Sequence, residues 1–177
     1  TFCPKTKRAP KLMSLELFKK SIDQAQPLAK EVALHLMGEP LLHPKLGDFV
    51  EYCQEKDIKI NLTTNGTHLQ HKFDILTNPI IDRINFSIHS IKNNYSFDIT
   101  KKYLLNIIEF TKEAQKVRDD LIIIYRLWNI NDISNKEIFQ TIEKEFDITI
   151  SEPSEKGSTE IHKKTYTPFR KPLIAGS

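Results

Sequence analysis

Residues 31–66 read EVALHLMGEPLLHPKLGDFVEYCQEKDIKINLTTNG, and the hydrophobic period changes twice within them. Val32 to Met37 is a short apolar run stopped by Gly38-Glu39-Pro40, the pattern of a strand ended by a loop. From Pro44 to Lys56 the apolar positions Leu46, Phe49, Val50 and Cys53 fall three and four apart, on one face of a helix. Ile58 to Thr64 reads as a strand again and ends at Asn65-Gly66, a turn pair. A strand, a helix and a second strand in so short a span make a βαβ unit, because parallel neighbours need a crossover of about a dozen residues or more.

The same alternation extends in both directions. Ser14 to Lys30 has helical spacing (Leu15, Leu17, Phe18, Ile22, Ala25, Leu28), with Ser14 placed to cap it. Downstream come a short helix at His68 to Leu76, an alternating strand at Arg83 to His89 and a helix at Thr100 to Arg118. A β-branched and aromatic strand at Leu121 to Trp128, a helix at Ser134 to Phe146 and the start of a strand at Asp147 to Ile150 follow. Regular alternation of this kind predicts an α/β fold with a parallel sheet. The expected architecture is a partial (β/α)6 TIM-like barrel with outer helices, its first strand lying before Thr1. A doubly wound sheet fits the pattern nearly as well. Residues 1–150 read as the barrel domain, and 151–177, without periodicity, as a tail or linker toward a further C-terminal part.

Composition bounds the function. With 177 residues, 39% of them hydrophobic and 28% charged, the chain suits one globular domain. No apolar run approaches the roughly 20 residues of a membrane-spanning helix, and the first residues lack a signal-peptide layout. Two cysteines cannot form a disulfide framework, so a reducing, cytoplasmic setting is expected. A net charge of +3 is a weak argument for a nucleic-acid partner. The five glycines form no phosphate-cradling loop, which disfavours a doubly wound nucleotide-binding domain.

Strand faces carry a sharper signal. Strands buried on both faces of a parallel sheet are apolar throughout. Here Asn61, Thr63 and Asn65 share one face of their strand, and Asn85, Ser87 and His89 one face of theirs, opposite Ile58-Ile60-Leu62 and Ile84-Phe86-Ile88. His35 and Glu39 extend the polar theme, and Arg126 interrupts an apolar strand. Ligands of α/β folds bind at the C-terminal ends of strands, where most of these residues fall. They predict a polar cavity on the inner face of a curved sheet; a single wet sheet face is the alternative. Cys53, on a helix's apolar stripe, reads as core packing, and His35, His43 and His68 as structural or surface residues. No His and Cys have zinc-site spacing.

Three pieces then act together: Phe2-Cys3-Pro4, Met37-Gly38-Glu39-Pro40-Leu41-Leu42-His43-Pro44, and Thr64-Asn65-Gly66. The set resembles the radical S-adenosylmethionine (radical SAM) enzymes, and looks closest to the branch with SPASM or twitch extensions. In that family three cysteines, spaced C-x3-C-x-aromatic-C, hold a [4Fe–4S] cluster through soft thiolate ligands. Phe2 matches the aromatic position and Cys3 the third cysteine, so the chain reads as truncated within that loop.

The resemblance implies further roles. Cys3 becomes a metal ligand. Gly38, Glu39 and Pro40 match the turn that lines the SAM amino group, with Met37 in place of its first glycine. Thr64 and Asn65 match the next strand's exit toward SAM, Ser87 a polar contact near the ribose, and Arg126 a partner for the SAM carboxylate. Taken alone, Gly38-Glu39-Pro40 is an ordinary strand-to-helix turn, and Arg126 an ordinary strand-end ion pair. The implied cofactors are a [4Fe–4S] cluster and SAM; the implied partners are a reductant such as flavodoxin or ferredoxin and a peptide or small-molecule substrate, with tRNA a lesser choice. A non-catalytic α/β binding module that has lost the cluster is the rival reading.

Overall fold

The computed structural model describes residues 9, 11–35, 38–88, 97–127 and 136–150, together with the backbone of 161–163 and 173–176. Helix α1 spans Leu15–Ala25, and Ser14, in extended geometry, accepts from the Leu17 amide at 3.2 Å as its cap. The helix stops at Gln26, before Pro27, which cannot continue it. Strand β1 (Glu31–Leu34) leads through a 3-10 turn (Pro40–Leu42) to α2 (Leu46–Glu55). Helix α2 buries Leu46, Phe49, Val50 and Cys53, and Phe49 stacks on Phe18 of α1 with ring centroids 4.0 Å apart. Asp57, at φ 52°, turns the chain from α2 into β2 (Lys59–Thr64) while the Ile58 amide bonds back to the Cys53 carbonyl at 3.0 Å. This is the left-handed C-terminal stop that an Asp tolerates.

The remaining elements are α3 (Phe73–Leu76), β3 (Ile81–Ser87), α4 (Phe97–Val117), β4 (Ile122–Leu127), α5 (Lys136–Phe146), β5 (Ile148–Ile150), β6 (Ile161–Lys163) and β7 (Leu173–Gly176). The main sheet runs β1-β2-β3-β4-β7, and every pair in it is parallel. Strands β1 to β4 lie in chain order with no reversal. A doubly wound sheet reverses its order at a switch point, whereas a barrel adds each strand on the same side. The order therefore settles the choice the sequence left open: the fold is α/β, of the partial TIM-like barrel kind.

One strand differs from expectation. The stretch at 147–150 is not the next strand of the main sheet; β5 pairs antiparallel with β6, and β7 takes the place beside β4. The local reason is visible. Asp147, at φ 48°, joins α5 to β5 with no loop that could carry the chain back to the sheet. The Ile150 amide donates to Glu143 Oε1 at 2.8 Å, which ties β5 to its own helix. Within 151–177, read from the sequence as a tail, β6 and β7 are thus two short strands.

The core lies between the sheet's outer face and the helices. Ile60 and Leu62 of β2, Ile84 and Phe86 of β3, and Ile123, Tyr125 and Leu127 of β4 are buried there with Leu104, Ile107, Ile108 and Ala114 of α4. Burying one such aliphatic side chain is worth about 1.5–3 kcal/mol. Phe86 meets both Phe110 and Tyr125 edge-on, at 5.9 and 6.0 Å between centroids. Two hydroxyls in this layer match each other: Thr111 Oγ1 and Tyr125 Oη lie 2.7 Å apart. With this face closed by apolar packing, alternation sends Asn61, Thr63, Arg83, Asn85, Ser87 and Arg126 to the other face, while Thr64 stays on the outer side of β2.

Candidate functional site

The inner face is organised by register. Ala33, Asn61, Arg83 and Ile122 form one row across β1 to β4; Thr63, Asn85 and Ile124 form the next; Ser87 and Arg126 pair in the third. Asn61, Thr63, Arg83, Ser87, Ile124 and Arg126 are half-buried, and Asn85 is fully buried. The Asn85 amide nitrogen reaches Asn61 Oδ1 (2.6 Å), the Leu62 carbonyl (3.2 Å) and Thr63 Oγ1 (3.4 Å). Asn61 in turn donates to Glu31 Oε1 at 3.4 Å. The polar face foreseen from the sequence is therefore a connected hydrogen-bond network along three strands.

At the C-terminal end of the strands the structure brings Gly38, Glu39, Pro40, Thr64 and Asn65 together. Glu39 caps the 3-10 turn, its Oε1 accepting from the Leu41 amide at 3.0 Å and from Thr64 Oγ1 at 2.5 Å. Its Oε2 accepts from the Asn65 amide at 2.7 Å. A carboxylate oxygen offers about two acceptor directions. Oε1 is thus saturated, while Oε2 retains one direction for a further donor. Thr64, 2% exposed, also accepts from the Gly66 amide at 3.0 Å, so it braces Glu39 from behind.

Asn65 closes a local turn by accepting from the Thr67 amide (2.9 Å) and hydroxyl (2.6 Å), and its carbonyl accepts from the Tyr103 hydroxyl. Two glycines are needed here for different reasons. Gly38 sits at φ +102° with open space where a side chain would begin, so a ligand can approach its backbone. Gly66, at φ +70°, has Ile107 Cδ1 2.8 Å from the place of a Cβ.

Ser87 and Arg126 face each other across β3 and β4, one residue beyond the Thr64–Phe86 pair. Burial, and then the charge of Arg83, lower the Arg126 pKa. Arg83 was not singled out by the sequence reading, although strand parity alone places it with Asn85 and Ser87. An apolar cleft of about 540 Å³ runs beside β1, between α1 and α2, with Phe18, Val32, Leu34 and Phe49 among its walls and Gly38 and Glu39 at its margin.

Met37, His89 and the Phe2-Cys3-Pro4 segment lie outside the described residues. Among the described residues no three His, Cys, Asp or Glu side chains gather as metal ligands. Cys53 is their only cysteine; it is fully buried in α2, and burial pushes its thiol up to about 11. It is core packing, as the helical stripe predicts, and cannot serve a cluster. The described residues thus supply donors and acceptors that fit SAM but no thiolate set for iron and sulfide. Among them no helix is long and apolar enough to cross a membrane.

Comparison with known proteins gives the family. Residues 1–144 match the radical SAM superfamily. A GTP 3',8-cyclase of Nautilia profundicola is 36% identical over 83 residues, 45% of this chain and 26% of that protein. A GTP 3',8-cyclase of Helicobacter pylori is 29% identical over 132 residues, 73% of this chain and 39% of that protein. The chain therefore spans a minor part of the length of these relatives. A crystal structure of archaeal TYW1 aligns over 94% of this chain and 78% of that one, at 14% identity and a TM-score of 0.46.

Proposed function

This chain belongs to the radical SAM superfamily, and from that premise we propose that it is the SAM-binding part of a radical SAM enzyme acting on an anionic or polar substrate. The observation that carries the reading is the Glu39 carboxylate. Three hydrogen bonds fix it across the β1 and β2 exits, and one Oε2 direction is left beside the open backbone of Gly38. An ammonium group is the donor best suited to that position. On this reading Glu39 and the Gly38 backbone take the SAM amino group, and Pro40 shapes the turn behind them. Thr64 and Asn65 hold the carboxylate in place, Ser87 contacts the ribose, and Arg126 takes the SAM carboxylate through its planar fork.

When bound, a [4Fe–4S] cluster together with SAM supplies a 5′-deoxyadenosyl radical able to take hydrogen from an unactivated C–H bond. Cys3 is the proposed ligand in this sequence, and one thiolate cannot hold such a cluster alone. The chain's own part is positional. The buried outer core fixes β2 to β4, and the inner face orients the substrate and limits water near the reacting carbon. A flavodoxin- or ferredoxin-type electron donor belongs to the same proposal. The curated relatives are GTP 3',8-cyclases, and nothing in the described geometry favours the peptide substrate or the SPASM-type branch suggested by the motifs.

The test is an anaerobic SAM-cleavage assay with reductant on the natural gene product after iron and sulfide reconstitution. Formation of 5′-deoxyadenosine, lost in Cys3→Ala and kept in Cys53→Ala, is the expected result. A folded, reconstituted protein that neither holds iron nor cleaves SAM would refute the proposal and leave the binding-module reading.

A further inference from the structure

We infer that the inner face of β3 carries an oxyanion site for the substrate, with Arg83 taking a phosphate or carboxylate group and Asn85 accepting from a donor beside it. The inference rests on the radical SAM reading and deepens it by naming the chemistry of the substrate.

Two buried atoms on this face have no hydrogen-bond partner among the described residues: Arg83 Nε and Asn85 Oδ1. Native proteins leave few such groups, and one beside a candidate site asks for a ligand. The orientation of Asn85 is set by its surroundings, because its nitrogen faces three acceptors in Asn61, Leu62 and Thr63. Its oxygen is therefore the orphaned end, and the side chain is fully buried. Arg83 is the row neighbour of Asn61, yet the nearby carboxylate of Glu31 bonds to Asn61. A guanidinium with a desolvated, unmet N–H and no paired carboxylate among the described residues is costly. An oxyanion accepts from that N–H and neutralises the charge at once. Arg126 adds a second positive charge to the same face, and the two guanidinia repel each other.

SAM's own carboxylate does not account for this position. Arg126 stands opposite Ser87, whereas Arg83 stands opposite Ile122, four residues earlier on β4. At about 3.3 Å per residue this is roughly 13 Å deeper toward the strands' N-terminal ends. A group held there is remote from the reacting carbon, where binding energy can orient the substrate. The paired orphans, one donor and one acceptor, specify an oxyanion with an N–H or O–H group close by.

The natural gene product, reconstituted with its cluster in the oxidised state, is labelled with 15N-arginine and 15N-asparagine; the Arg83 Nε resonance is identified by its loss in Arg83→Gln and the Asn85 amide by its loss in Asn85→Ala. Inorganic phosphate and acetate are titrated separately at constant ionic strength, before and after saturation with SAM. A saturable shift of the Arg83 resonance that survives SAM is expected, and the stronger anion tells phosphate from carboxylate. The same titration read on the Asn85 amide should weaken at least tenfold in Arg83→Gln and recover in Arg83→Lys. No saturable shift, a shift abolished by SAM, or an affinity unchanged in Arg83→Gln overturns the inference. SAM cleavage is measured on the same samples. Cleavage without anion binding sinks this inference alone, whereas an iron-free protein without cleavage sinks the function on which it rests.

Discussion

Replacing Glu39 with Gln isolates what its charge and its two acceptor oxygens do. The substitution keeps the length of the side chain and changes one oxygen into a donor. If the new NH2 stands at Oε2, it meets the Asn65 amide; if at Oε1, it meets the Leu41 amide. Either rotamer sets a donor against a backbone donor, and the remaining bonds lose their charge assistance. A hydrogen bond to a charged group is worth about 1.5–3 kcal/mol, and Glu39 is half-buried, so a loss of about 2 kcal/mol is expected. For a chain of this size that lowers the Tm by about 4–8 °C. Urea unfolding should show a lower midpoint with an unchanged slope. SAM affinity, measured by calorimetry on the reconstituted protein, should fall at least tenfold, because the Oε2 direction meant for the ammonium now carries either a donor or an uncharged oxygen. A Gln variant within 1 °C of the parent Tm would refute the claim that Glu39 stitches the β1 and β2 exits. Full SAM affinity in a destabilised variant would refute the ammonium site and leave Glu39 a purely structural residue.

Gly66→Ala should cost about 2–4 kcal/mol in urea unfolding, since a Cβ at φ +70° is strained and falls 2.8 Å from Ile107 Cδ1; a loss under 1 kcal/mol would mean that Ile107 yields freely. Cys53, neutral in the fold because burial pushes its thiol up to about 11 from a reference of 9.0, should contribute fully below that reference and then lose about 1.4 kcal/mol per pH unit as pH rises toward its folded value. Urea midpoints of the parent and Cys53→Ala between pH 8 and 10 check this: the parent should lose ground to the variant as pH rises, and parallel curves would refute the burial argument.

Element type was legible wherever one rule governed a segment. Ser14 and the Phe18–Ile22 stripe give α1, and the Leu46, Phe49, Val50, Cys53 stripe gives α2, because both helices lie on one side of the sheet. The alternation in β2 and β3 gives both strands and both faces. What failed at 147–150 was placement, not type. A three-residue strand has no pattern that says which sheet it joins, and the Glu143 bond that holds it to its own helix is not encoded by periodicity. At the site, the motifs pointed to Glu39, Thr64 and Asn65 as contacts in one set. That Thr64 acts through Glu39, from the outer and buried side of β2, needed coordinates, because both oxygens of Glu39 are engaged by residues some 25 positions away. Arg83 shares its strand parity with Asn85 and Ser87 and was readable on that ground, but a single Arg at the start of a strand carries no signal of its own.

The same sheet meets two opposed demands, and its residues divide accordingly. On the outer face the buried groups among the described residues are apolar or, like Thr111 with Tyr125, matched, so that face supplies the stability. At the C-terminal end of the strands one carboxylate is over-determined, and on the inner face one guanidinium nitrogen is unmet among the described residues. Glu39, with three donors, is locked and contributes order; Arg83, whose buried Nε has no partner among the described residues, carries a standing desolvation cost. A fold optimised for stability alone would place Leu or Val at Arg83, as it does at Ile122 beside it. An Arg there, among hydrogen-bonded asparagines and with a second Arg on the same wall, is what the proposed anion site would explain, whereas Glu39 already has a structural role in its three hydrogen bonds.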